Sequence, residues 1–377
     1  GTVRRSLADS GHVLLDWMSE AAISGGGGGR ACRRDEHVPD LLVFKPKGQS
    51  DISRVPMVAR GELIVQQKAS CFPALALAPP PGSHVIDGCA APGNKTTHLA
   101  ALMENEGSIL AYEQDARRCA LLEQMLRERG ATCAEAVHGS FLDADPLSPS
   151  FALVSHILLD PSCSSSGMSL NPVAEPHALQ QLAAAQQALV LHAMRFPKLQ
   201  ALVYSTCSIH QVENEKVVAA VLEANADFEL DLALPHWPRR GQTLHGIDPR
   251  TATSIAQCTI RTQFPDDSTI GFFLARFVRR GAAAAAADVP NATKLSPGLA
   301  AKLDSLAKVR RKMQRARAST MGSTVHAPAN GEAAAVPSQP SPDEEAARAA
   351  GGKRASDDRP VPLWRLERDA KKKKKAS

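Results

Sequence analysis

Between residue 82 and about residue 280 the sequence alternates short apolar runs with helical segments, and this rhythm restricts the fold more than any other feature. Val85-Ile86, Ser108 to Tyr112, Ile157-Leu158-Leu159, Ala201-Leu202-Val203-Tyr204 and Phe272 to Phe277 have the length and composition of strands. Thr96 to Met103, Asp115 to Arg129, Pro176 to Arg195 and Val212 to Ala224 have those of helices. Asp115 supplies a cap and Gly130 a stop for the second helix. The alternation predicts an α/β fold, a largely parallel sheet covered by helices on both faces. Aromatics make up only 4% of the chain, so the core must rest on Leu, Val, Ile and Ala.

Composition divides the 377 residues into three parts. Residues 1–80 form a smaller α+β region. In it Val13-Leu14-Leu15-Asp16-Trp17-Met18 is expected to be helical, Gly25 to Gly29 to be a flexible insertion, and Leu41 to Phe44 to be a strand. Pro79-Pro80-Pro81-Gly82 marks its boundary with the α/β domain, residues 81–280. Residues 281–377 are of low complexity and expected to be mostly disordered, with a basic amphipathic helix over 299–318 and a terminal run from Lys371 to Lys375. This tail carries 19 Lys and Arg against 10 Asp and Glu, so the rest of the chain has a net charge of −4 while the whole has +5. A tail of this sign suits attraction to nucleic acid, a nuclear address or plain solvation.

Several classes of protein are set aside by what the sequence lacks. The first residues show no basic start followed by a long apolar run, so no signal peptide is expected. No stretch approaches the roughly 20 apolar residues of a membrane span. The 8 cysteines contain no Cys-x-x-Cys pair, so no metal site is expected, and they are read as free thiols.

Four motifs carry chemistry. Asp87-Gly88-Cys89-Ala90-Ala91-Pro92-Gly93-Asn94-Lys95-Thr96 is a small-residue turn from a strand into a helix, where backbone can approach a ligand and a helix N-terminus favours negative charge. Glu113 closes the next strand, where a carboxylate can accept hydrogen bonds from both ribose hydroxyls. Leu159-Asp160-Pro161-Ser162-Cys163-Ser164-Ser165-Ser166-Gly167-Met168 follows a third strand. Val203-Tyr204-Ser205-Thr206-Cys207-Ser208 ends a fourth and is followed by Glu213-Asn214-Glu215. A single cysteine is ordinarily a small buried hydrophobe. Two cysteines in loops at the ends of two strands, on the edge where cofactors bind, point instead to covalent catalysis. Carbon 5 of cytosine is a poor nucleophile, and a thiolate adding at carbon 6 makes it enamine-like and able to accept a methyl group. A carboxylic acid at the ring nitrogen, such as Asp160, would stabilise the charge.

With VIDGCAAPGNKT, LLDPSCSSSGM, LVYSTCSIHQVENE and GFFLARF in this order, the chain resembles the Sun-domain family of RNA cytosine-C5 methyltransferases over residues 38 to 280, most closely its large-subunit ribosomal RNA branch. The resemblance implies a Rossmann-like methyltransferase sheet with a late antiparallel strand, and S-adenosylmethionine as cofactor. It implies that Cys89, Ala90, Ala91, Pro92, Gly93, Asn94 and Lys95 line the cofactor loop, with Glu113, Arg118 and Asp160 as further cofactor contacts. Cys207 takes the place of the nucleophile, Cys163 that of the thiol assisting product release, and Asp160 is shared between cofactor and base. DNA cytosine methyltransferases use the thiol of a Pro-Cys pair instead, so Thr206-Cys207 points to RNA. The implied partners are ribosomal RNA and a pre-ribosomal particle in the nucleus and nucleolus, with residues 1–80 contributing RNA contacts and the enzyme acting as a monomer.

Two departures from the family pattern stand out. Ser140 precedes Phe141-Leu142 where the family has an acidic residue facing the adenine, and Ser165 replaces a Gly of the branch's Cys-Ser-Gly-Ser-Gly. If that position needs a positive φ, a serine there is strained or shifts Cys163. They leave open a catalytically weakened RNA-binding assembly factor of the same fold, and a tRNA cytosine methyltransferase is a further alternative.

Overall fold

The computed structural model describes residues 7, 13–15, 31–44, 56–169 and 175–281. Its main sheet holds strands β4 (His84–Asp87), β5 (Ser108–Glu113), β6 (Ala134–His138), β7 (Val154–Leu159), β8 (Ala201–Thr206), β9 (Phe228–Asp231), β10 (Ile260–Thr262) and β11 (Phe272–Arg279). The order is β10-β11-β8-β7-β4-β5-β6, with β9 pairing the far end of β11. Strands β8, β7, β4, β5 and β6 run parallel, while β11 is antiparallel to β8, β9 and β10. The strand order reverses at β4, so the carboxyl ends of β4, β5, β7 and β8 open on one edge at the topological switch point.

The pleat sends successive residues to opposite faces. Val85, Leu158, Val203 and Leu274 enter one core, and Ile86, Ile157, Leu159, Leu202, Tyr204 and Phe273 enter the other. The first core is closed by helices α2 (Lys68–Leu77), α3 (Asn94–Leu102) and α4 (Ala116–Glu128), through Phe72, Leu77, Leu99 and Leu122. The second is closed by α5 (Pro176–Ala193), α6 (Glu215–Ala224) and α7 (Pro249–Cys258), through Val190, Val218, Val221 and Ile255. Each such fully buried aliphatic side chain stabilises the fold by about 1.5–3 kcal/mol. As expected, Asp115 caps α4, accepting from the backbone N–H groups of Arg117 and Arg118, and Gly130 follows the helix at φ 69°.

The N-terminal region is more strand-rich than its sequence suggests. Strands β1 (Val13–Leu15), β2 (Ala31–Arg34) and β3 (Leu42–Phe44) form a separate three-stranded sheet, followed by the short helix α1 (Pro56–Ala59). The helix expected from Val13 is corrected at Val13–Leu15, which pair in parallel with Ala31–Arg33. Ladder hydrogen bonds to β2 satisfy this backbone, and they outweigh the helical spacing of an apolar run only three residues long. Residues 16–18, the Gly25 to Gly29 run and the basic tail lie outside the described residues. Helix α2 precedes the Pro79–Gly82 boundary but belongs to the main core, where Ala69, Phe72, Ala74 and Leu77 are buried. It ends at Ala78, left-handed at φ 43°, whose N–H bonds to the Ala74 carbonyl.

Candidate active site

The first half of the switch-point edge is the loop from β4 into α3. Asp87 ends β4 fully buried, accepting from the Thr96 hydroxyl at 2.8 Å and from the Cys89 N–H at 3.4 Å. Burial pushes its carboxyl up to about 6, against the Thr96 bond. A Cβ on Gly88 would lie 2.6 Å from Leu159 Cδ2 and 3.0 Å from Phe141 Cδ1, so a side chain there would displace buried neighbours. The Ala90 N–H bonds to the Tyr112 carbonyl at 2.9 Å and pins the loop to β5, and the Ala91-Pro92 peptide is cis. Gly93, at φ 112°, is the N-cap of α3 and offers no side-chain cap, so the first-turn N–H groups of the helix are left to a ligand.

Glu113, at the end of β5, is buried. One carboxylate oxygen accepts from the Asp115 N–H at 2.9 Å and the other faces Arg118 Nη2 at 3.1 Å. Arg118 also donates to the Ala91 carbonyl at 3.1 Å, tying α4 to the loop. A carboxylate has about four acceptor sites, so Glu113 retains capacity for a diol. The Cys89 thiol in this loop is pushed up by burial and by the acids around it, which disfavours its thiolate.

Asp160 joins this half to the next. Its Oδ2 lies 2.6 Å from Lys95 Nζ, and its Oδ1 accepts from the Ser205 hydroxyl at 2.6 Å. Lys95 also donates to Ser70 at 3.1 Å and lies 6.0 Å from the Phe272 ring centroid. Burial alone would lower the lysine's pKa, but the charge and hydrogen bond of Asp160 raise it, so the ammonium is kept.

The thiols form the second half. Cys163 Sγ and Cys207 Sγ lie 3.3 Å apart, well beyond the roughly 2.05 Å of a disulfide, and both are free. Cys207 is lowered to about 7, first by the hydrogen bond it shares with Cys163, against burial, and then by Ser165. Cys163 is pushed up by the same shared hydrogen bond and by burial. Lys95 adds positive charge on the Cys207 side of the pair. The two thiols share one proton, and the shared bond favours ionisation of Cys207 over Cys163.

Buried groups beneath the loops fix this pair. The Glu213 carboxylate accepts from the Ser164 N–H at 2.9 Å and from Gln186 Nε2 at 3.0 Å, and Gln186 also donates to the Ser162 carbonyl. The Tyr204 hydroxyl lies 3.0 Å from Gln186 Oε1 and 2.5 Å from the Glu213 carbonyl. Asn214 accepts from the Thr206 hydroxyl and donates to the Ser208 carbonyl, clamping the turn that follows Cys207. Glu215 pairs with Arg261 through two contacts of 2.6 and 2.7 Å, and Arg261 donates to the Ile209 carbonyl. The hydroxyls of Ser164, Ser166 and Ser208 bond to one another across the two loops at 3.0 to 3.3 Å. Gly167 donates to the Cys207 carbonyl at 2.8 Å and accepts from the Gly271 N–H at 2.9 Å, so β11 is stitched to the same turn.

The structure thus brings Cys207, Cys163, Asp160, Lys95, Glu113, Arg118 and the Cys89–Asn94 turn to one edge of the sheet. Ser140 stands at the carboxyl end of β6, its hydroxyl accepting from the Leu142 N–H at 3.3 Å as the cap of a short turn. Ser165 has φ 55°, the left-handed conformation for which a glycine is suited. Sequence reasoning missed the roles of Glu213, Gln186, Tyr204, Ser205 and Arg261. For Glu213 the signal available was the polar run Glu213-Asn214-Glu215-Lys216 before the apolar Val217-Val218. Among the described residues no group of His, Cys, Asp or Glu is arranged to hold a metal, and no helix is long and apolar enough to cross a membrane.

Comparison with known proteins agrees with this geometry. Residues 74–278 match the family model described as 16S rRNA methyltransferase RsmB/F. A 28S rRNA (cytosine-C(5))-methyltransferase of Mus musculus is 45% identical over 254 residues, 65% of this chain and 52% of that protein. A 25S rRNA (cytosine-C(5))-methyltransferase of Arabidopsis thaliana is 42% identical over 263 residues, 66% of this chain and 44% of that protein. The chain spans about half the length of these curated relatives. The crystal structure of a methyltransferase homolog from Pyrococcus horikoshii superposes with a TM-score of 0.53 at 27% identity, covering 63% of this chain and 74% of that one.

Proposed function

Because this chain belongs to the RsmB/F family of rRNA methyltransferases, we propose that it methylates carbon 5 of a cytosine in large-subunit ribosomal RNA, with S-adenosylmethionine as cofactor and Cys207 as nucleophile. One observation carries the reading: the Cys207 thiol, lowered to about 7 by its bond with Cys163, stands at the end of β8 beside the anchored Asp160. The choice of large-subunit RNA rests on the names of the relatives at 45% and 42% identity.

The donor set fits the cofactor. The uncapped N-terminus of α3 suits its carboxylate, and Glu113 at the end of β5 suits its ribose hydroxyls. Bound S-adenosylmethionine supplies an electrophilic methyl group. Cys207 adds as thiolate to carbon 6 of the cytosine, forming a carbon–sulfur bond and moving an electron pair to carbon 5. The ring nitrogen takes up a proton from solvent as this pair moves in, and the Asp160 carboxylate, held by Lys95 and Ser205, accepts the hydrogen bond of the resulting N–H. After carbon 5 has gained the methyl group its proton passes to solvent, and the carbon–sulfur bond breaks to return the electron pair to Cys207. Cys163, 3.3 Å away, hydrogen-bonds the departing sulfur and assists this release. A base reaching the thiol must leave its stack, so the substrate is a single-stranded or flipped cytosine. A pre-ribosomal particle as partner and a nucleolar location belong to the same proposal.

The test is transfer of labelled methyl groups to large-subunit ribosomal RNA. Cys207→Ala is expected to lose roughly a thousandfold or more of the rate, and Cys163→Ala to accumulate a covalent RNA adduct on denaturing gels. Full transfer by Cys207→Ala would overturn the assignment. RNA binding without transfer by the wild type would favour the assembly-factor reading, in which Ser140 has weakened the cofactor site.

A further inference from the structure

Ser165 departs from the branch's glycine at a place where glycine is the comfortable residue. The peptide units around it leave little choice of backbone. Ser164 N–H is held by Glu213, Gly167 N–H by the Cys207 carbonyl, and the Gly167 carbonyl by Gly271. Gly167 packs closely on Gly271, where an added Cβ would lie 2.0 Å from the Gly271 oxygen. Between these anchors Ser165 is kept at φ 55° and ψ 20°, a conformation that costs a residue with a side chain and persists only where its surroundings over-determine it.

The side chain has a use in return. The hydroxyls of Ser164 and Ser166 are engaged with Ser208. Ser165 Oγ instead lies 3.6 Å from Cys207 Sγ. A hydroxyl both accepts and donates. It accepts from the neutral thiol, and when the thiol ionises it turns and donates to the sulfur anion. Neither glycine nor alanine can do this, and the Cys163 thiol is a weaker donor than an alcohol.

Resting on the reading of Cys207 as the nucleophile, we propose that Ser165 is a positioning residue which stabilises the Cys207 thiolate by donating a hydrogen bond to it, at the expense of a strained backbone. Stabilising a thiolate lowers its intrinsic nucleophilicity only partly, with a Brønsted coefficient of about 0.4–0.5, while raising the ionised fraction fully. At a pH at or below the thiol's midpoint the net effect is a more reactive Cys207.

The experiment follows the pH dependence of Cys207 alkylation by iodoacetamide on the full chain. Each cysteine-containing peptide is quantified by mass spectrometry in wild type, Ser165→Gly and Ser165→Ala. Glycine relieves the strain of the left-handed backbone and alanine keeps it as serine does, but both remove the hydroxyl. The expected result is a midpoint near 7 for wild type and an upward displacement of about half a pH unit or more in both variants. An unchanged midpoint in both, or a displacement in only one, overturns the proposal, since the effect would then be absent or would belong to the backbone. Alkylation needs neither cofactor nor RNA. A chain that transfers no methyl group would fail the functional reading while still reporting whether Ser165 acts on the thiol.

Discussion

On one side of Asp160 the sheet edge is held by opposite charges, and on the other by hydroxyls and sulfur. The cofactor side ties Lys95 to Asp160 at 2.6 Å and Arg118 to Glu113 at 3.1 Å. The thiol side presents Cys163, Cys207, Ser164, Ser165, Ser166 and Ser208, and its charges, Glu213 and the Glu215–Arg261 pair, lie buried beneath the loops. Under the proposed function, the difference follows from what each side must do. A binding surface keeps one charge pattern through a turnover, and fixed ion pairs maintain it. A nucleophile gains and loses charge within the turnover, and neighbours that both donate and accept follow that change without a new desolvation cost.

Three changes would break or sharpen this comparison. The largest effect is expected from Glu215→Ala, which strands the Arg261 guanidinium without its buried partner. Breaking such a pair costs roughly 3–5 kcal/mol, read as a lower midpoint in urea unfolding followed by circular dichroism. A cost below about 1 kcal/mol, the scale of an exposed pair, would mean that the thiol side does not rest on buried charge at all. Next is Lys95→Met, expected to weaken S-adenosylmethionine binding about tenfold, a loss of one partly buried ion pair, and to slow Cys207 alkylation at pH 7. If binding falls while alkylation is unchanged, the two sides are independent, and Asp160 is a boundary rather than a link. The smallest is Arg118→Ala. That side chain is half exposed, so the lost pair with Glu113 should change cofactor affinity only about threefold. A hundredfold loss by equilibrium dialysis would make Arg118 a direct ligand and not a tether.

What was legible in the sequence was what is local. Strands β4, β5, β7, β8 and β11 were readable because each is built around a short apolar run, as strands covered on both faces are. The strand-end loops were readable because their small residues, prolines and cysteines are adjacent in the chain. Strand β6 escaped because Ala134–His138 lies at the sheet's edge and carries Glu135 and His138 outward. Helix α2 escaped because Pro73 sits inside it, a residue that argues against helix until tertiary packing overrides it. Val13–Leu15 was taken for helix because its pairing partner, Ala31–Arg33, lies beyond the glycine run. The braces of the thiols were out of reach for a related reason. Glu213 reaches Ser164 across 49 residues and Arg261 reaches Glu215 across 46, distances at which no spacing rule operates. For Ser165 the departure from glycine was visible and its strain foreseen, but the bond to Cys207 was not.

The antiparallel strand β11 has a consequence for the order in which the two-thiol edge comes into being. It lies beside β8, at the interior of the sheet, although it is the last strand of the described chain, and Gly271 just before it closes the hydrogen bond to Gly167. A chain emerging from the ribosome exposes Cys163 and Cys207 long before residues 271–279 have been made. Until then β8 is an open edge and the cysteine loops lack their last stitch. The setting of the two thiols is thus completed by the final part of the domain to be synthesised.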